Sequence, residues 1–151
     1  MFKGYIIASV ILLLAFNVCG QNRALKFDEL NVLQAQEARP VVVLISTSWC
    51  KFCHAMKNSM LRSKKISTIL ADKYRTVFLD AEEKDSITFA GRTFRYEQGV
   101  NGLAKELGTI NGQVSYPTLC ILNKQNEIIY QQDGYLSPDA ITQVLAKLLW
   151  D

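Results

Sequence analysis

The segment Val41-Val42-Val43-Leu44-Ile45-Ser46-Thr47-Ser48-Trp49-Cys50-Lys51-Phe52-Cys53 decides the fold of this 151-residue chain. Its first residues are apolar and mostly β-branched, which is typical of a short strand buried on both faces of a sheet. Hydroxyl residues then interrupt the run, and from Cys50 onward the apolar residues return at helical spacing. The pattern predicts a buried strand, a short turn and a helix that begins at the first cysteine.

Cys50 and Cys53 lie one helical turn apart in this pattern, and Cys50 falls at the helix N-terminus. Unpaired backbone N–H groups and the helix dipole favour a thiolate at such a position. Lys51, and His54 when it is protonated, would add positive charge that favours the thiolate further. Cys53 is within reach of Cys50 and shielded by the helix. We therefore predict a redox pair in which Cys50 attacks and Cys53 resolves.

Other roles for these cysteines carry less weight. A purely structural disulfide would close too small a loop to restrain the unfolded chain much. The run from Cys50 to His54 matches the C-x-x-C-H pattern of haem attachment, with His54 as the axial ligand. A zinc site lacks a second ligand pair, and a Cys–His hydrolase lacks a recognisable group to hold its base. The buried strand just before Cys50 favours the redox pair over haem, and we expect neither cofactor nor metal.

The N-terminus has the features of a secretory signal. Lys3 precedes an apolar stretch over residues 5–16, and Val18-Cys19-Gly20 supplies small-residue cleavage positions. The apolar run is shorter than the ~20 residues that span a bilayer. We predict a signal peptide over residues 1–20 and one domain over residues 21–151, in a periplasmic or secreted protein. The alternative is a membrane-anchored lipoprotein with Cys19 as the lipidated residue.

Charge and cysteine count limit the function classes further. The formal net charge is +3, and loss of residues 1–20 removes one lysine and no acidic residue, which leaves +2. No stripe of Lys or Arg is present, so we expect no nucleic-acid partner. Removal of Cys19 leaves Cys50, Cys53 and Cys120, and an odd count in an oxidising compartment requires one buried or reactive thiol. Cys120 lies in an apolar strand, which predicts an inert core thiol.

The remaining elements give an alternating order of helices and strands. A βαβ unit predicts parallel pairing, and a later pair of strands joined by a turn predicts antiparallel pairing. The expected fold is α/β, with a mixed central sheet that has a parallel βαβ half, an antiparallel ββα half and helices on both faces. The predicted helices cover residues 27–38, 50–61, 66–74, 101–107 and a segment from Ser137; the predicted strands cover 41–45, 76–80, 119–122 and 128–130; and residues 87–96 suggest a small hairpin. Asp28 is the candidate N-cap of the first helix, and Ser137 is the expected N-cap of the last, with Pro138 at its first helical position.

Two separated motifs make the chain resemble the thioredoxin superfamily, from about Phe27 to Trp150. One is Trp49-Cys50-Lys51-Phe52-Cys53 after a buried strand, and the other is Tyr116-Pro117-Thr118 before one, with Asp133-Gly134 further on. The resemblance implies a thioredoxin-like fold in which Pro117 is cis and lies against the cysteines. It also implies that the backbone at Tyr116 pairs with the substrate chain and that Trp49 shields the pair.

The sequence departs from thioredoxin itself in three places. Lys51-Phe52 replaces Gly-Pro between the cysteines, and residues 85–100 form a longer insertion than the minimal fold needs. Leu44 replaces the buried acid that accepts a proton beneath the pair in thioredoxin. The spacing alone does not choose a substitute among the nearby acidic residues, which are Glu82, Glu83 and Glu106.

The resemblance is closest to exported thioredoxin-like reductases. It implies a protein-disulfide oxidoreductase, a monomer, that acts on disulfide-containing or dithiol proteins through Cys50 and Cys53, with a membrane electron donor that recharges the pair. A disulfide oxidant or isomerase of the same fold is the alternative, because the direction of electron transfer depends on the reduction potential of the cysteine pair. A binding module with incidental cysteines is a further alternative.

Overall fold

The computed structural model describes residues 23–149. The predicted signal peptide over residues 1–20, its cleavage and the lipidation of Cys19 lie outside the described residues. The helices are α1 (Phe27–Gln36), α2 (Lys51–Arg62), α3 (Lys64–Lys73), α4 (Gly102–Gly108) and α5 (Pro138–Lys147). The strands are β1 (Val41–Ser46), β2 (Arg75–Asp80), β3 (Ile87–Phe89), β4 (Arg92–Phe94), β5 (Tyr96–Glu97), β6 (Val100–Asn101), β7 (Thr109–Ile110), β8 (Gln113–Val114), β9 (Thr118–Leu122) and β10 (Ile128–Asp133).

The central sheet has the strand order β10-β9-β1-β2. Strand β1 pairs in parallel with β2 and antiparallel with β9, and β9 pairs antiparallel with β10. Every residue of β1 is buried, because this strand has a neighbour on each side and helices above and below. The predicted mixed sheet is therefore confirmed, and the apolar run from Val41 to Ile45 lies in one of its two inner strands.

Alternate residues of β1 point into two separate cores, as the two-residue period of a strand requires. Val42 and Leu44 pack in the core formed with α2, α3 and α5, whereas Val41, Val43 and Ile45 pack in the core formed with α1, α4 and the β3–β4 hairpin. The expected helices on both faces of the sheet are confirmed. The loop after β1 consequently emerges at one end of the sheet, where α2 begins.

Polar residues at the helix ends explain most of the element boundaries. Ser137 caps α5 by accepting the Ala140 N–H, and Pro138 occupies its first turn, as the sequence predicted. Ser63 ends α2 and caps α3, so the helix restarts there rather than continuing. The expected cap of α1 at Asp28 is wrong. That helix begins at Phe27, and the Glu29 carboxylate accepts the Lys26 N–H at 3.0 Å.

The insertion over residues 85–100 is well packed. It contains the predicted hairpin, β3 paired with β4, and a second small hairpin formed by β5 and β6. Asn31 of α1 donates to the Thr88 carbonyl at 2.6 Å, and the Phe27 and Phe89 rings meet edge to face. The buried Asn101 amide donates to the Glu83 carbonyl at 3.0 Å and so fixes the loop that leads into the insertion.

Within residues 23–149, no helix combines the length and apolar character that a bilayer span requires.

Candidate active site

The two cysteines of the first motif are joined in a disulfide at the N-terminus of α2. Their Cα atoms are 5.2 Å apart, and the Cys53 N–H donates to the Cys50 sulfur at 3.1 Å. Cys50 is the residue that caps the helix, because β1 ends four residues earlier and the intervening turn aims the chain into α2. Cys50 is 7% exposed and Cys53 only 1%. Solvent therefore reaches the pair from the Cys50 side.

The second motif lies at the same end of the sheet as the cysteines. The Tyr116–Pro117 peptide bond is cis, and β9 begins at the next residue, Thr118, which pairs with Ile45 of β1. The Pro117 carbonyl accepts the Gly134 N–H at 2.8 Å. The antiparallel register brings the start of β9 next to the end of β1, so the two motifs meet although they are far apart in sequence.

Aromatic side chains flank the disulfide on both sides. Trp49 is 67% exposed, its ring meets that of Tyr116 edge to face at 6.1 Å, and its indole N–H donates to a Glu82 carboxylate oxygen at 3.3 Å. On the other side, Phe52 is 65% exposed, and its ring centre lies 5.8 Å from that of Tyr135. We call these four aromatic side chains the aromatic rim. It places exposed apolar surface beside the residues of the disulfide.

The Phe52–Tyr135 pair was not predicted from the sequence. The sequence did contain one signal, which is the aromatic residue between the two cysteines. A position in the first turn of a helix that faces solvent does not need an aromatic side chain for packing. Tyr135 follows the Asp133-Gly134 turn of the resemblance, and this turn places it beside α2. Two of the site residues that the sequence did predict, Trp49 and Tyr116, lie together in the rim.

The charged residues of the first motif point away from the core. Lys51 and His54 are both exposed on the first turn of α2. The His54 Nε2 donates to the Ser48 carbonyl at 2.8 Å. This arrangement uses the imidazole nitrogen that a haem iron would need, and the sulfurs of Cys50 and Cys53 are bonded to each other. Both observations favour a redox pair over haem attachment.

The three glutamates considered as substitutes for a buried acid are separated by the structure. Glu106 forms a two-point ion pair with Arg92, at 2.7 and 2.9 Å, in the insertion region. A Glu83 carboxylate oxygen accepts the Asp85 N–H at 3.1 Å within its own loop. Glu82 is the glutamate that contacts the residue beside Cys50, through the Trp49 indole. Leu44 itself is fully buried among apolar side chains.

Two further ionisable groups are held neutral by their surroundings. Burial raises the pKa of the Tyr116 hydroxyl, and the carboxylates of Glu82 and Asp80 add to that rise. Burial raises the pKa of the Cys120 thiol from 9.0 to about 12. Cys120 is fully buried in β9 and, within residues 23–149, is the cysteine outside the disulfide. The predicted core position of this thiol is confirmed.

Comparisons with known proteins agree with this geometry. The sequence matches the thioredoxin-like domain family over residues 27–149. No curated protein gives a significant match. Similar solved structures include a thioredoxin-fold protein from Helicobacter pylori, with a TM-score of 0.59, 16% identity and coverage of 74% of this chain and 69% of that one.

Two other solved structures are similar over more of the chain. A disulphide isomerase from Xylella fastidiosa has a TM-score of 0.57 and 18% identity, with coverage of 89% of this chain and 99% of that one. Thioredoxin f from spinach chloroplast has a TM-score of 0.56 and 22% identity, with coverage of 84% of this chain and 87% of that one. Identities this low show a common fold only. The substrate of this chain has to be inferred from its own residues.

Proposed function

The chain belongs to the thioredoxin-like domain family, and from that premise we propose that it is a thiol–disulfide oxidoreductase that reduces protein disulfides outside the cytoplasm. The observation that carries the proposal is the unequal burial of the linked cysteines. Cys50 caps a helix and is 7% exposed, whereas Cys53, one turn further on, is 1% exposed. A pair of this kind can exchange with an outside disulfide through one sulfur and release the product through the other.

The reaction begins with the reduced pair. The Cys50 thiolate attacks one sulfur of the substrate disulfide, whose S–S bond breaks, and the second substrate sulfur leaves as a thiolate that takes a proton from solvent. Cys53, as a thiolate, then attacks the Cys50 sulfur of the mixed disulfide and releases the first substrate sulfur. Two electrons pass to the substrate, and the Cys50–Cys53 bond seen in the structure is the product.

The surroundings of the pair supply the substrate contacts of the proposal. The Tyr116 backbone, held by the cis bond before Pro117, would pair with the extended substrate chain, and Trp49 and Phe52 would border it. Lys51 at the helix start would favour the thiolate form of Cys50. The partners are disulfide-containing or dithiol proteins, the protein acts as a monomer, and neither cofactor nor metal takes part.

The proposed site of action is the periplasm or the extracellular space, after removal of a signal peptide over residues 1–20. A separate membrane electron donor would then reduce the oxidised pair. Expression of the full chain in a bacterial host, followed by fractionation and N-terminal sequencing, tests this. Secretion with Gln21 at the N-terminus supports cleavage; a lipid on Cys19 supports the anchored alternative; retention of the intact chain in the cytoplasm contradicts export.

Direction is tested by the reduction potential of the Cys50–Cys53 pair in thiol–disulfide buffers. A potential below about −230 mV would support a reductase, and one above about −180 mV would support an oxidant or isomerase.

The mechanism is tested with cysteine variants. Cys50→Ser should abolish reduction of a small disulfide-bonded protein, with Cys120→Ser as the matched control that keeps activity. Full activity in Cys50→Ser would refute the mechanism. A haem absorption band in the purified protein, with no thiol transition, would support haem attachment instead.

A further inference from the structure

Ser46 carries a buried hydroxyl that the fold itself does not use. The residue ends β1 and is 1% exposed, and its Oγ has no hydrogen-bond partner within the described part of the chain. Its backbone carbonyl is satisfied, since it accepts the Ala81 N–H at 2.8 Å. A buried polar atom without a partner is costly, and such groups call for a specific explanation.

The alternation of β1 places this side chain on a known face of the sheet. Val42 and Leu44 pack in the core with Met56 and Met60 of α2. Ser46 is two residues after Leu44, so it lies on the same face of the sheet, which α2 covers. The Ser46 side chain therefore lies between the sheet and the start of that helix.

Cys53 occupies the matching position on the helix. The buried residues of α2 are Cys53, Met56 and Met60, which form one stripe, and Cys53 is its N-terminal member. The chain passes from β1 to α2 through a short turn, in which the Cys50 N–H donates to the Thr47 carbonyl at 3.4 Å. The last residue of β1 and the first turn of α2 consequently meet at the same end of one layer.

We propose that the Ser46 hydroxyl donates a hydrogen bond to the Cys53 sulfur when the pair is reduced, and so stabilises the thiolate that resolves the mixed disulfide. The inference rests on the proposed redox function. In the oxidised state the Cys53 sulfur is bonded to Cys50 and the Ser46 hydroxyl has no partner within residues 23–149, so this bond must break before the Cys53 sulfur can turn towards Ser46 and carry a charge. Reduction by a dithiol breaks the Cys50–Cys53 bond, forms the reductant's own disulfide and transfers two electrons. Of the two thiol protons of the reductant, neither stays on Cys53 when they pass to Cys50 and solvent, and the Cys53 thiolate is then a charged acceptor.

The burial of Cys53 makes such a donor important. Cys53 is 1% exposed, and burial disfavours the thiolate that the resolving step requires. Leu44, Met56 and Leu119, which belong to the core on this face of the sheet, offer no hydrogen-bond donor. A hydroxyl at position 46 can therefore lower the cost of a charge on Cys53.

The test compares Ser46→Ala with Thr47→Val. Thr47 is a matched control, because it is also buried, at 2% exposed, and its hydroxyl also has no partner within residues 23–149. Each protein is equilibrated with dithiothreitol buffers, quenched with acid, and its free thiols are alkylated and counted by mass. We expect the equilibrium constant for reduction to fall about tenfold in Ser46→Ala, which for this two-electron couple is a potential about 30 mV more negative. Thr47→Val should change less than about threefold.

Stability of the oxidised proteins provides the second measurement. Because the Ser46 hydroxyl has no partner among the described residues of the oxidised protein, Ser46→Ala should unfold at an equal or higher urea concentration than the parent. A loss of stability with an unchanged potential would mean that the hydroxyl has a structural partner, and this would overturn the proposal. Equal shifts of the potential in both variants would also overturn it, since they would assign the effect to the general polarity of the turn.

Titration of the parent protein distinguishes failure of the proposed redox function from failure of the proposed role of Ser46. If its Cys50–Cys53 pair does not titrate reversibly with dithiothreitol, the proposed function fails. If the parent titrates and Ser46→Ala has the same potential, only the role of Ser46 fails.

Discussion

Raising the pH should destabilise the protein through Cys120, and the size of the effect can be worked out from its burial. Burial favours the neutral thiol, so the folded protein holds this proton to a higher pH than the unfolded chain does, with a pKa of about 12 against an ordinary 9.0. The stabilisation is complete below pH 9 and is lost as the pH rises from 9 towards 12. At pH 11 the loss amounts to about 2.7 kcal/mol, from two pH units at 1.36 kcal/mol each.

The assay is urea unfolding followed by far-ultraviolet circular dichroism at pH 8 and pH 11. Every cysteine except Cys120 is first replaced by serine, so that the Cys120 thiolate of the unfolded chain cannot exchange with a disulfide. The same protein with Cys120→Ala is the comparison. The cavity left by alanine lowers the free energy of unfolding at both pH values, and this cost cancels when each protein is compared with itself.

The two proteins should differ in how much stability they lose between pH 8 and pH 11. The buried Tyr74, whose pKa burial raises from 10.0 to about 12, contributes about 1.4 kcal/mol of loss to both. The protein that keeps Cys120 should lose about 2.7 kcal/mol more. Equal losses in the two proteins would refute the reasoning, because Cys120 would then titrate as an exposed thiol does.

Three further predictions concern the rim and the core. Phe52→Ala should raise the KM for a protein disulfide about 2- to 12-fold with little change in kcat, because it removes an aromatic contact of the rim; Tyr135→Ala should do the same, and an unchanged KM in both would exclude the rim from binding. Tyr74→Phe should lower the free energy of unfolding at pH 7 by about 1 kcal/mol, since the Tyr74 hydroxyl donates to the Leu145 carbonyl at 2.8 Å; unaltered urea unfolding would contradict this. Leu44→Ala should cost about 2–5 kcal/mol in the same assay, because Leu44 is fully buried; a loss below 1 kcal/mol would mean that the core closes around the smaller residue.

The parts of the fold that depend on local patterns could be predicted from the sequence. The apolar, β-branched run of β1 and the helical spacing after Cys50 are both local signals, and the structure places a strand and a helix there. Cap residues also predicted the start of α5, since Ser137 caps this helix as expected. The prediction that Tyr116-Pro117 lies beside the cysteines came from a family resemblance, since spacing alone does not pair distant segments.

The features that the sequence did not predict depend on contacts between distant residues. The exposure of Phe52 and its contact with Tyr135 follow from how the turn after β10 packs beside α2. In the sequence Ser46 does not differ from any serine at the end of a strand, and only the packed structure reveals that its buried hydroxyl has no partner in the described part of the chain. Asp28 was expected to cap α1, but the helix begins at Phe27 with Lys26 as its N-cap residue, and Glu29 at the third helical position accepts the Lys26 N–H.

The contact between β1 and β9 has a consequence for how the molecule could be divided. Residues 41–80 carry the disulfide, residues 109–149 carry Tyr116 and Pro117, and the two segments meet in the sheet where β1 pairs with β9. The small hairpins over residues 87–101 lie between them in sequence. A chain cleaved there would yield two complementary fragments, each with half of the site. Disulfide exchange by the mixed fragments would then serve as a reporter of reassembly, because it would return only when the two halves recombine.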